Sequence, residues 1–165
     1  MKPAFLLLLA LALTLAGCST TSQKSAGTVR KGQHMTVRTT AYTHTEPGGR
    51  NNAIGTRLRF GGDVYSAASD WSWLPLGTRF RMVENGRNYV IEDYGSALVG
   101  RKTIDLYQPN MRAVRSWGVR QMEIVILEWG SKPMSLRLLE PRAKRDYIRT
   151  MVAELRKSVP AVPRG

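Results

Sequence analysis

From residue 35 to residue 42, hydrophobic and polar positions alternate with a period of two. Met35, Val37, Thr39 and Ala41 share one face, and Thr36, Arg38, Thr40 and Tyr42 share the other. Successive side chains of a strand point to opposite sides, so this alternation predicts a strand. Similar short stretches recur at 65–68, 78–83, 88–93, 103–107 and 120–127. Within 78–83, Phe80 and Met82 face one way and Arg79 and Arg81 the other. Asn85-Gly86 falls between two of these stretches, a strong hairpin signal because both residues tolerate positive φ. Residues 46–52 are turn-rich around Pro47-Gly48-Gly49.

Two stretches switch to a helical period. Pro109 can open and Gly118 can close a short helix in which Met111, Val114 and Trp117 form a buried stripe. Residues 140–158 place Ala143, Tyr147, Ile148, Met151, Val152 and Leu155 on one face. Arg142, Lys144, Arg145, Arg149, Arg156 and Lys157 crowd elsewhere. This is a basic amphipathic helix, which either docks on the rest of the domain or lies against a lipid or wall surface. Six short strands and one helix within roughly 95 residues predict a small, mostly β, closed barrel. The barrel spans 35–130, and 131–165 hold the C-terminal helix and a tail with two prolines.

The first residues carry an address. Residues 1–18 read MKPAFLLLLALALTLAGC: a basic start at Lys2, an apolar run too short to span a bilayer as a mature helix, and small residues before Cys18. The pattern is that of a lipoprotein leader over 1–17, with Cys18 as the lipidated residue. Ser19 after it points to the outer membrane, with the protein facing the periplasm. Residues 18–34 then form a polar, basic tether.

The formal net charge is +13, and loss of Lys2 with the leader lowers it by only one. Such a charge favours polyanions. Export removes nucleic acid from consideration and leaves anionic lipid, lipopolysaccharide and peptidoglycan. One cysteine excludes an intramolecular disulfide and a Cys-rich metal site, and two histidines argue against a histidine metal site. No metal and no cofactor is expected.

The acidic residues of the barrel can be judged one by one. Glu46, Asp63, Glu84, Glu92 and Glu123 read as solvated surface charges. Alternation puts Asp93 on the apolar face of Tyr89 and Ile91. Asp105 sits in the strand Thr103-Ile104-Asp105-Leu106-Tyr107, which has no other charge. A carboxylate inside a strand costs desolvation unless paired, and burial raises its pKa. That suits a general acid, and equally a structural Asp satisfied by backbone N–H groups. Asp70 is a turn or cap residue or a third member of the set. Trp71 and Trp73 point to one side of an extended segment, either as a sugar-stacking platform or as core.

The order of short motifs resembles the 3D domain, a family named for three aspartates. The motifs are Thr40-Ala41-Tyr42-Thr43, Ala53-Ile54-Gly55-Thr56, Asp70, Leu74-Pro75-Leu76-Gly77-Thr78, Glu92-Asp93-Tyr94-Gly95-Ser96-Ala97, Gly100, Ile104-Asp105-Leu106-Tyr107 and Ser116-Trp117-Gly118. Tyr94 departs from the family, which usually has a small Thr or Val there. The resemblance implies a six-stranded double-psi β-barrel and kinship with the catalytic domain of membrane-bound lytic transglycosylase A. It implies Asp105 as the acid/base, Asp93 as its support and Asp70 in the same groove. Tyr42, Trp71, Trp73, Tyr94, Gly95, Ser96 and Tyr107 are the expected substrate contacts.

A lytic transglycosylase needs one acid/base rather than the two carboxylates of most glycosidases. The expected activity is therefore cleavage of the β-1,4 bond between N-acetylmuramic acid and N-acetylglucosamine, with formation of a 1,6-anhydro ring. Two other classes stay open: a lipoprotein that binds peptidoglycan without cutting it, and an envelope adaptor working through the basic C-terminal helix.

Overall fold

A computed structural model describes residues 32–45 and 49–159. The expected leader, Cys18, most of the tether, Glu46 and the end of the tail lie outside the described residues. Six strands close into a barrel: β1 (His34–Thr43), β2 (Tyr65–Ala68), β3 (Arg79–Met82), β4 (Asn88–Asp93), β5 (Thr103–Gln108) and β6 (Arg120–Glu128). Their order around the barrel is β1-β5-β2-β4-β3-β6. β1 pairs with β5, and β2 with β4, in parallel, while the other pairings are antiparallel. Two parallel pairs, each requiring a long crossover, fit the expected interlocked topology. All six strands fall where the alternation places them, within a residue or two.

The inward face of each strand supplies the core. Phe80 and Met82 of β3 meet Tyr89 and Ile91 of β4 and Ile124 and Ile126 of β6, all buried. The Phe80 and Tyr89 rings stack at 5.3 Å. Each such side chain contributes about 1.5–3 kcal/mol relative to exposure. The turn at Asn85-Gly86 forms as expected, with Gly86 at φ 66°.

Helix α1 (Met111–Trp117) opens on Asn110, whose side chain accepts from the Ala113 amide, and closes at Gly118. Its apolar stripe is only partly covered, and the helix has no buried residue. It packs against β1, where Trp117 Nε1 donates to the buried Thr39 Oγ1 at 3.3 Å.

The C-terminal segment is two helices rather than one. Helix α2 (Lys132–Leu139) has Ser131 as its cap and Pro133 in its first turn. A short turn of 3₁₀ helix over Glu140–Arg142 leads to α3 (Asp146–Ser158). The expected apolar face of α3 docks on the barrel: Ile148, Met151, Val152 and Leu155 are buried in the common core. That face is therefore occupied by protein and is not presented to lipid. The seam is tight at Gly130, where a Cβ atom would lie 2.3 Å from the Leu76 carbonyl oxygen. Ser135 Oγ of α2 accepts from the Leu76 amide at 2.9 Å, tying the Leu-Pro-Leu-Gly-Thr turn to the helix.

Candidate functional site

Strand register sets the geometry of the site. Ala68 at the end of β2 is paired with Asp93 on β4 and with Asp105 on β5, and Asp105 is paired with Thr40 on β1. Thr40, Asp105, Ala68 and Asp93 thus form one row across four strands. Paired residues face the same way, and Ala67, one position earlier, belongs to the core. The row therefore faces out of the barrel. Two strand spacings separate the Cα atoms of the two aspartates, about 10 Å. The small Ala68 side chain between them leaves room.

The placement of Asp93 corrects the simple alternation. Ala67 is paired with Ile91 but Ala68 with Asp93, so Glu92 is an extra residue at a β-bulge. A bulge re-aims the residues after it. Asp93 leaves the apolar face of Tyr89 and Ile91 and joins the row with Asp105. Glu92 is not the solvated charge the pattern gives: it is 3% exposed, accepts from Ser66 Oγ, and forms an ion pair with Arg59. A buried carboxylate of this kind needs both partners to offset its desolvation.

The row opens into a cavity of about 620 Å³. Tyr42, Ala68, Asp93, Tyr94, Gly95, Ser96 and Asp105 line it, with Asn52 and Ala53 from the loop after β1 and Arg145 and Tyr147 from the C-terminal segment. Thr40 Oγ1 donates to Asp105 Oδ1 at 2.6 Å, which orients that carboxyl group. Tyr42 OH donates to Asp93 Oδ2 at 3.3 Å. Burial, followed by the charges of Asp93 and Asp105, pushes the Tyr42 hydroxyl far above the usual phenol range. Tyr42 is accordingly a fixed proton donor, not a base.

Asp93 is held by several donors. The Tyr94 amide donates to Oδ1 at 2.9 Å, and the Ala53 amide also donates to the carboxyl. Burial nonetheless raises its pKa above the ordinary value of 3.8, the Glu92 charge acting in the same sense against the three donors. Folding therefore favours the neutral form. That contribution is full below pH 3.8 and is lost as pH rises through the folded-state pKa. Asp93→Asn keeps the shape without the charge. Its melting temperature is expected to exceed the parent's at pH 7, with the gap closing below pH 3.8, in paired thermal melts across that range.

Asp70 does not line the cavity. It is 3% exposed, and its carboxylate accepts from Ser72 N at 2.8 Å, Ser72 Oγ at 2.6 Å and Gly100 N at 2.8 Å. It ties the 70–74 turn to the loop before β5, which is the turn role the sequence left open. Asp70→Ala leaves these donors without their acceptor and is expected to cost about 3 kcal/mol in chemical denaturation.

The two tryptophans resolve differently from a stacking platform. Trp71 is fully buried, offers no face to a ligand, and donates from Nε1 to the Asp93 carbonyl at 2.9 Å. Its ring meets Tyr94 edge-on at 4.9 Å. Trp73 is half-buried and packs against the core. Tyr107 is buried behind Tyr42, edge-on at 5.7 Å, with its hydroxyl 2.9 Å from His44 Nδ1. It buttresses Tyr42 from outside the cavity lining.

Several contributors escaped the sequence reading. Thr40 shares the face of Tyr42, a signal already present in the alternation. Asn52 shapes its loop by accepting from the Ile54 and Thr56 amides through Oδ1. Arg142 Nη1 donates to the Ala53 carbonyl at 2.8 Å and to Tyr94 OH at 3.4 Å. Tyr94, the departure from the family pattern, thus links the barrel to the C-terminal segment.

The site is thus a closed, mostly β barrel with two aspartates in one outward row and an open cavity above them. Residues 65–128 match the family model of the 3D domain, a stretch that runs from β2 to β6 and includes all three aspartates. That family is associated with peptidoglycan-related, lytic-transglycosylase-like domains. No curated protein matches the chain.

Proposed function

We propose that the protein is a peptidoglycan lytic transglycosylase with Asp105 as its single acid/base. The observation that carries this reading is the row Asp105-Ala68-Asp93 facing the 620 Å³ cavity, with Thr40 bonded to Asp105 at its end. Protonated Asp105 donates to the oxygen bridging N-acetylmuramic acid and N-acetylglucosamine as the bond from that oxygen to the muramyl anomeric carbon breaks. The resulting carboxylate takes the proton of the muramyl 6-hydroxyl, whose oxygen closes onto the anomeric carbon. The product is a 1,6-anhydro ring, Asp105 ends protonated, and no water is consumed. Asp93, committed to Tyr94, Tyr42 and Ala53, positions the site and stabilises positive charge at the anomeric carbon. The lipoprotein leader supports an outer-membrane location facing the periplasm, where this substrate lies.

The reading is tested by incubating the full chain with purified sacculi and identifying released ends by mass spectrometry. Anhydromuramyl ends are the expected result. Hydrated reducing ends would mean a hydrolase, and co-sedimentation without release would mean a binding module.

A further inference from the structure

Beside the cavity lies a second hollow of about 370 Å³, lined by Tyr94, Arg142, Lys144, Arg145, Tyr147 and Ile148. Half of these are cations. It shares Tyr94, Arg145 and Tyr147 with the cavity, so the two spaces adjoin. The acids of the same segment are engaged elsewhere: Asp146 with Arg149, Glu140 with Arg156 and Glu154 with Lys157. Among the described residues, no ion pair takes up Arg142, Lys144 or Arg145. Three cations brought together without a counter-charge repel one another, an arrangement that an anion in the hollow would relieve.

One of the cations is also held in place, and a second has a partner at the surface. Arg142 is fixed by the Ala53 carbonyl and Tyr94 OH, and a guanidinium has N–H donors beyond those two bonds. Arg145 Nη1 donates to Tyr147 OH at 3.2 Å. Groups fixed before binding lose less freedom on binding. A planar guanidinium pairs best with a carboxylate or phosphate.

We infer that this hollow is a subsite for a carboxylate carried by the same strand that occupies the cavity. The inference rests on the peptidoglycan reading of the cavity and adds a substrate preference to it. Such a strand offers two carboxylate sources: the lactyl ether of the muramic acid once its peptide is removed, and the peptide stem itself.

The test is binding to the full chain carrying Asp105→Asn, so that no strand is cut during measurement. Three soluble ligands are compared: peptide-bearing strands, the same strands with their carboxyls converted to amides, and strands stripped of peptide. Amidation is expected to weaken binding about tenfold, the scale of one good charge-assisted contact. In the further variant Lys144→Gln/Arg145→Gln the effect of amidation should fall below about twofold. In Arg112→Gln/Arg115→Gln, which removes two charges from α1, it should stay near tenfold. Stripped strands binding like peptide-bearing ones would support the subsite and show that it accepts the lactyl carboxylate as well as the stem's. Stripped strands binding like amidated ones would support it and assign it to the stem. An amidation effect that is absent, or equal in both double variants, overturns the subsite while the cavity reading stands. No binding of any strand overturns both.

Discussion

Asp105→Asn is expected to cut the release of anhydromuramyl fragments from sacculi by about a thousandfold, the scale of a lost general acid/base. Its fold should survive. Asn is the same size, and its side-chain oxygen can still accept from Thr40 Oγ1, which lies 2.6 Å from the carboxyl oxygen in the parent. The melting temperature should therefore stay within about 3 °C of the parent's, a change worth less than about 1 kcal/mol in a domain of this size. The pairing of lost release with a retained melt is the informative result. It separates a residue that moves a proton from one that merely holds β5 against β1. A structural Asp105 would show the reverse: a lowered melt, and release reduced only as far as the fold is lost.

Trp71→Ala should do the opposite. The indole is fully buried, packs edge-on against Tyr94, and donates to the Asp93 carbonyl. Its removal leaves a large void and one weaker anchor on the backbone of Asp93. Substitutions of this kind cost about 3–5 kcal/mol, which corresponds to a fall in melting temperature of about 10–20 °C. Strand binding should weaken too, because Tyr94 and Asp93 line the cavity and lean on this ring. Trp71→Phe restores much of the volume without the N–H, so it should recover most of the melting temperature. A surface platform would behave differently, with Trp71→Ala lowering affinity at an unchanged melt.

Strands β1, β3 and β6 were legible in the sequence because their burial alternates, and a period of two records that directly. Asp105 was legible for another reason, as the single charge in an otherwise uncharged strand. The bulge at Glu92 was not. It is defined by the pairing of Ala67 and Ala68 with β4, and nothing local to residues 88–93 announces it. Hence Glu92 reads as surface and Asp93 as inward, and both are corrected by a register that only the closed barrel imposes. Trp71 and Trp73 were ambiguous in kind, since core and platform ask for the same spacing. The Ser131 cap and Pro133 at the start of α2 were visible signals that the longer amphipathic pattern after them masked. Arg145 and Tyr147 reach the site only through the docking of α3 on the barrel, a contact between distant parts of the chain. Removing residues 140–165 therefore takes away part of the cavity lining as well as a helix.

The central claim is that a glycan strand lies in this cavity with its bridging oxygen at residue 105. The most direct test is a crystal structure of the Asp105→Asn chain with a bound oligomer of alternating N-acetylmuramic acid and N-acetylglucosamine. The expected result is a strand over Ala68, with a bridging oxygen about 3 Å from the residue 105 side chain, within hydrogen-bond reach. A strand bound away from the Thr40-Asp105-Ala68-Asp93 row, or one whose bridging oxygens all lie beyond reach of residue 105, would contradict it.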